Sequence, residues 1–458
     1  MTACRRCFFR VSGVPMTIAD TAHLLRRTGF AEKLSTVETM ALMDRAALVD
    51  QILDFSPNPA PDYNPKAKTE DWENLQALRE WWLNRMATVP RPLQERLTLF
   101  WHNHFATSIT KVFDAVHMYR QNDIFRSKGA GDMNELFKSV ATDPAMLFWL
   151  DGAYSGKWGP NENFGRELQE LFLLGVDNGY VESDVKAMAR AWTGHSVDDK
   201  NNDTYLYRPT WHDDDLKTLY NVTEKWNGPD VLDQVIVSPG RLNGVRKNAS
   251  EHLAAKLWSW FAYPIKRTDA LAITLGASLA SDPKMNIKAF LRVMFNMDEF
   301  YSDTAKKGLV RHPIDWAATM MRTTGVPAAK VSMVSQLEDL GMGPLTPPNV
   351  SGWRQNRAWM SVSAYWRRAE IASSLFGVAI ADPAAGGTSF LNTIDAMSPS
   401  AAVDEALRQL GENRVVVGGI THNALVALVS AERSANAGAN QRRNLARTIA
   451  ISPEFSLA

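Results

Sequence analysis

Apolar residues recur along this chain at three- and four-residue intervals, the spacing that lines one face of an α-helix. Val37, Leu42, Leu48 and Ile52 keep it across residues 35–54, with Ser35 as the cap, and Thr17 caps a helix over 17–27. The same pattern predicts helices at 70–87, 92–107 (opened by Pro92), 133–150, 161–174 and 183–193, the last closed by Gly194. Further helices follow at 229–237, 250–262 (Ser250 as cap), 268–280, 284–298, 313–324, 330–340 and 359–376. Pro313 stands at the first helical position of 313–324 and Gly325 just past its end.

The period shortens to two only once. "TYLYRP" (204–209) alternates as a strand does, and "KTLYNV" (217–222) is placed to pair with it across the loop "TWHDDDL". The prediction is an all-α, multi-helix, bundle-like body carrying one small β-hairpin insertion. Proline-rich "SPNPAPDYNPKAK" (56–68) is an exposed connector, since proline breaks helices. Residues 17–380 read as the main helical domain, 381–390 ("ADPAAGGTSF") as a linker and 391–458 as a C-terminal helical region packed on it. Residues 1–16 read as a dispensable extension with Met16 as the true start, because "MTIADTAHLLRRTGF" begins an amphipathic helix at once.

Composition removes several function classes. Fifty Lys and Arg balance fifty Asp and Glu, so no global field draws the chain to nucleic acid or an anionic membrane. No apolar run is long enough for a bilayer, which gives a cytoplasmic location by default without excluding export. "CRRCFFR" looks like a twin-arginine signal but lacks the apolar stretch that must follow. Cys4 and Cys7 are the only cysteines, too few for a structural zinc site or a disulfide framework. Fifteen tryptophans suggest aromatic-lined pockets or crowded helix crossings.

The candidate chemistry starts at "FWHNHFATS" (100–108). With about 100° per residue, Leu93, Leu97, Phe100, Trp101 and His104 share a face. His102, two positions away, points about 200° from His104, so a regular helix cannot let the pair chelate one ion. His104 is either a buried imidazole bonded to a carboxylate or carbonyl, or one ligand of a site completed by other helices. In "NENFGRELQELFLLG", Asn163, Glu167 and Glu170 run along the edge of an apolar stripe. Glu162, Arg166 and Glu170 have the spacing of a solvated ion-pair ladder, whereas Glu167 borders the core and needs a partner.

"TWHDDDL" offers His212 and Asp213 as a ligand or acid–base pair, or simply an acidic loop tip in water. "PPNVSGWRQNRAW" sets Trp353 and Trp359 around Arg354 and Arg357. That loop suits an aromatic-walled pocket for an anion or sugar, and equally a rigid plug.

In order along the chain, "RLTLFWHNHFATS", "DPAMLFWLDG", "NENFGRELQELFLLGVDNGYVESDVKAMARAWTGH", "WHDDDLKTLYN", "AAKLWSWF", "PPNVSGWRQNRAWM" and "SPEFSL" resemble the bacterial domain-of-unknown-function 1800 (DUF1800) family. Two departures stand out: His195 replaces the family's usual tryptophan, and Met342 follows Gly341 where glutamine is usual. The resemblance implies a largely helical protein with no agreed activity. It also implies relatives that are often exported and often encoded beside a sulfatase- or phosphatase-like protein.

Two functions follow. The first is a metal-dependent hydrolase in which His104, Glu167 and His102 hold a divalent ion, His212 and Asp213 assist, and Arg354 or Arg357 steadies the substrate. The second is a non-catalytic helical scaffold or partner of that sulfatase- or phosphatase-like protein. Its motif residues would then be internal struts.

Overall fold

The computed structural model describes residues 15–64, 72–237, 240, 242–381, 390–412 and 417–457. Most of the proposed extension 1–16 and of the linker 381–390 therefore lies outside the described residues. Helices dominate, and the strands form two small two-stranded antiparallel sheets. Among the described residues no helix is long and apolar enough to cross a membrane.

Capping chemistry sets most boundaries. Thr17 accepts from Asp20 N at 3.0 Å and opens Ile18–Thr28. The expected single helix over 35–54 is two, Leu34–Met40 and Arg45–Leu53. Asp44 caps the second by accepting from Ala47 N, and Lys33 rather than Ser35 precedes the first. The 133–150 helix likewise divides into Met133–Ala141 and Pro144–Trp149, because Asp143 caps a fresh start and Pro144 cannot continue the first. Pro92 is the cap of Leu93–His104 rather than its first residue. Ser250 lies inside Asn243–Phe261, its hydroxyl bonded to the Lys247 carbonyl. Ala115–Lys128 is a helix that sequence periodicity did not mark.

The β pairing differs from expectation. Strand β1 (His195–Asp198) pairs with β2 (Thr204–Tyr207), and β3 (Lys217–Leu219) pairs with β4 (Val222–Glu224). Tyr220 and Asn221, both at positive φ (52° and 64°), fold "KTLYNV" back on itself as a two-residue turn. Its two halves pair with each other, and the 204–207 strand takes 195–198 as its partner instead.

One continuous hydrophobic core runs from Met16 to Phe455 and takes residues from both 17–380 and 391–458. The C-terminal helix Ala439–Ala450 packs on Val362–Ala381. The Trp316 indole N–H donates to the Ala450 carbonyl at 2.8 Å, and Glu412 pairs with Arg26 and Arg311.

Candidate functional site

His104 ends its helix buried, and its Nε2–H donates to the Phe172 carbonyl at 2.8 Å. That carbonyl belongs to a π-helical turn, Leu168–Leu173, which continues the α-helix Glu162–Glu167. The wider turn follows from Gln169, a fully buried amide that donates to the Gly165 carbonyl and accepts from Tyr220. Its own carbonyl takes both Leu174 N and Gly175 N, leaving the carbonyls of 171 and 172 without helical partners. His252 Nε2 reaches Leu171 at 3.1 Å, as His104 reaches Phe172. Gly175 (φ +92°) ends the turn against the His252 ring, where a Cβ would stand 2.7 Å from Nδ1.

The two imidazoles are thus caps for a helix end. Burial, then the charge of Lys256, holds the His104 pKa well below its usual value, and burial brings that of His252 to about 4. His102 points elsewhere, into the Trp82, Phe125 and Trp353 rings, and burial takes its pKa to about 3.

Glu167 does not join them. It is half-buried, and burial followed by repulsion from Glu170 raises its pKa, opposed only by Arg166. Arg166 bridges Glu162, Glu170 and Glu182, which makes this stripe an ion-pair ladder on the protein surface. Asn163 is exposed and caps locally with Asn161. His212 bonds the Thr193 carbonyl at 2.9 Å, and Asp213 takes a two-pronged contact from Arg190 at 2.7 and 3.1 Å. Among the described residues no three His, Cys, Asp or Glu side chains gather as a metal-binding group. The set His104, Glu167 and His102 therefore does not fit a metal, and His212 and Asp213 are engaged with their own neighbours.

Three of the quoted segments do converge, around a different group of residues. The loop after Pro348 closes on the end of the His104 helix, where Asn103 Oδ1 accepts from Trp353 N at 2.8 Å. Gly352 (φ +81°) makes this possible, since a Cβ there would meet the Asn103 carbonyl and stand 2.6 Å from Oδ1. Helix Asn243–Phe261 adds Lys256, Ser259 and Trp260, and the start of Pro313–Thr324 adds His312 and Asp315. Together with Arg96 and Phe100 they enclose a cavity of about 170 Å³.

The cavity wall is chemically open. His312 caps its helix by accepting Asp315 N at Nδ1 (3.1 Å), so the neutral ring carries its proton on Nε2. Burial holds the ring neutral, with a pKa of about 3. That Nε2, the indole nitrogens of Trp260 and Trp353, and Arg96 Nε are all buried without a hydrogen-bond partner. Lys256 is exposed, partial desolvation by its neighbours lowers its pKa, and among the described residues none forms a hydrogen bond or ion pair with it. Asp315, held ionised against burial by Arg96 and Arg311, lies 3.0 Å from Arg96.

Arg354 and Arg357 are exposed outside this cavity. Arg354, with Trp359, Arg367 and the other face of Trp353, lines a shallower cleft of about 350 Å³. Trp359 donates its indole N–H to the Arg354 carbonyl at 3.0 Å, so the loop is part plug and part wall.

Sequence reasoning singled out Trp353 but passed over Lys256, His312, Asp315, Arg96 and Asn103. One signal was available: Lys256 is the lone charge in "AAKLWSWF", a segment otherwise fit for a core. His195, the departure noted above, is buried at the head of β1 between Tyr205 and Asn227.

These features define a largely helical protein with a small cavity walled by aromatic and charged side chains. The family model described as "Protein of unknown function (DUF1800)" matches residues 23–457, and the chain belongs to that family. No curated protein and no solved structure matches it.

Proposed function

We propose that the cavity between Lys256, His312 and Trp353 is the functional site and binds a small polar ligand among Phe100, Trp260 and Trp353. The observation that carries this reading is the cavity itself, which gathers Lys256, His312, Arg96 and the rings of Phe100, Trp260 and Trp353 from four separate segments. Among the described residues Lys256 has no partner to hold it, so its ammonium is free to meet a ligand there. Lys256 supplies charge and a mobile proton, and His312 supplies a fixed neutral donor. Among the described residues metal-assisted hydrolysis has no donor set to support it, and it is not part of the proposal. The test is ligand-observed NMR with indole and benzoate as probes. Binding to the native chain and its loss in Ser351→Trp, which plugs the mouth from an exposed position, support the site. Equal binding to both proteins rejects it.

A second reading, a helical partner for a sulfatase- or phosphatase-like protein, is favoured by a separate observation. Met360, Val362 and Trp366 are 53%, 89% and 71% exposed beside Thr448 and Ile451, around a groove of about 710 Å³. Co-expression with that neighbour tests it: Val362→Glu with Trp366→Glu abolishes co-elution if the reading holds, and unchanged co-elution rejects the groove.

A further inference from the structure

Behind the cavity lies an imbalance of charge. Arg26, Arg27, Arg96, Arg311 and Arg368 are 8%, 0%, 2%, 1% and 1% exposed, and their guanidinium groups interact with one another. The carboxylates facing them are Glu412 and Asp315, each 1% exposed. Five cations against two anions leave three positive charges inside the protein. Backbone carbonyls take some donors: Gly29 from Arg96, Ala305 from Arg27 and Arg311 from Arg368. Six guanidinium nitrogens remain without a hydrogen bond, namely Nε and Nη1 of Arg27, Nε of Arg96, Nη1 of Arg311, and Nε and Nη1 of Arg368. Buried charge of one sign is unfavourable unless a counter-charge sits close by.

The cluster reaches open space on its rim where Arg96 and Asp315 form part of the cavity wall with Lys256 and His312. We infer that the ligand of this cavity is an oxyanion, a phosphate, a sulfate or the carboxylate of a small acid, which supplies the negative charge the arginine cluster lacks. The inference rests on the cavity being the ligand site. A tetrahedral or carboxylate group fits within a volume of about 170 Å³. It would meet the Lys256 ammonium on a wall that also carries Arg96, Ser259 and the rings of His312, Trp260 and Trp353. The one carboxylate on the wall, Asp315, lies against Arg96 and is offset by it. A dianion is favoured over a monoanion because the excess charge behind the wall is three.

The experiment uses the full chain in a buffer free of oxyanions, titrated with inorganic phosphate, sulfate, sodium chloride at matched ionic strength, and neutral indole. Calorimetry and thermal melting are the readouts. Phosphate and sulfate should bind one per chain and raise the melting temperature saturably, while chloride does not. Lys256→Met should weaken phosphate binding at least tenfold and leave the melting temperature of the free protein unchanged, because Lys256 has no partner to lose. Should that variant fold poorly, Lys256→Gln provides the same comparison, and Ser351→Trp should block phosphate from the mouth. Phosphate that acts no differently from chloride, while indole still binds, overturns the oxyanion and leaves the pocket standing. Phosphate binding that persists undiminished in Lys256→Met and Ser351→Trp places the anion elsewhere and overturns the inference. Failure of both phosphate and indole removes pocket and oxyanion together.

Discussion

Lowering the pH from 7 to 5 tests the buried imidazoles as a group. Six of the nine histidines, His23, His102, His104, His195, His252 and His312, have pKa values depressed mainly by burial, to about 3 or 4 where a figure can be put on them. A depressed imidazole favours the folded state above the unfolded pKa of about 6.5, and that stability is lost as the pH falls toward the folded value. At pH 5.5 each unfolded histidine carries about 0.9 of a proton, while His102, His195, His252 and His312 carry almost none when folded. Asp143 works in the opposite sense: burial pushes its carboxyl up to about 7, so the folded chain holds roughly one proton that the unfolded chain has released. The net difference from these five groups is about two to three protons, and His23 and His104 add to it in the same sense. At about 1.4 kcal/mol per proton per pH unit, these five groups alone lower stability by roughly 3.5 kcal/mol for each unit near pH 5.5. Domains are stable by only about 5–15 kcal/mol, so the urea midpoint is expected to fall steeply between pH 7 and 5. Urea melts at quarter-unit steps give the slope directly, and calorimetry in buffers of different ionisation heat counts the protons. Uptake of fewer than two protons on unfolding at pH 5.5 would show that the imidazoles are not held neutral.

Three substitutions probe single contacts. His104→Phe keeps the ring but leaves the Phe172 carbonyl bare, so urea unfolding should show a loss of about 1–3 kcal/mol and about one proton less uptake at pH 5.5; unchanged stability would deny the capping role. Glu95→Gln removes the charge between Arg85 (2.7 Å) and Arg126 (2.6 and 2.9 Å) at a fully buried site, and should cost about 3–5 kcal/mol in the same assay. Asp143→Asn keeps an oxygen for Met146 N and Gln121 while removing an ionisation that burial opposes. Its urea midpoint should exceed that of the native chain at pH 8, with the gap narrowing toward pH 6, and a lower midpoint at pH 8 counts against the raised carboxyl.

The helices were legible because their apolar spacing and caps are local: Thr17, Pro313 and Gly325 perform the roles their positions suggest. Breaks at Asp44 and Asp143 were hidden because apolar periodicity continues across them while an aspartate restarts the hydrogen bonding. Helical angles correctly sent His102 and His104 to opposite sides, yet they carried no hint of the π turn that His104 caps. That turn depends on Gln169 finding Tyr220, fifty-one residues away. Glu167 could be marked as half-buried from its own helix, but its partners could not. The cavity was illegible for the same reason: its wall comes from four distant segments, and openness there is a property of donors left unpaired by the fold.

Trp353 is the wall between the inner cavity and the outer cleft that holds Arg354. One side chain is therefore shared by two separate spaces. Replacing it with alanine would enlarge both at once, because the same indole fills the boundary of each. How far apart the two hollows stand thus depends on a single ring and on the left-handed glycine before it, whose turn sets where that ring lies.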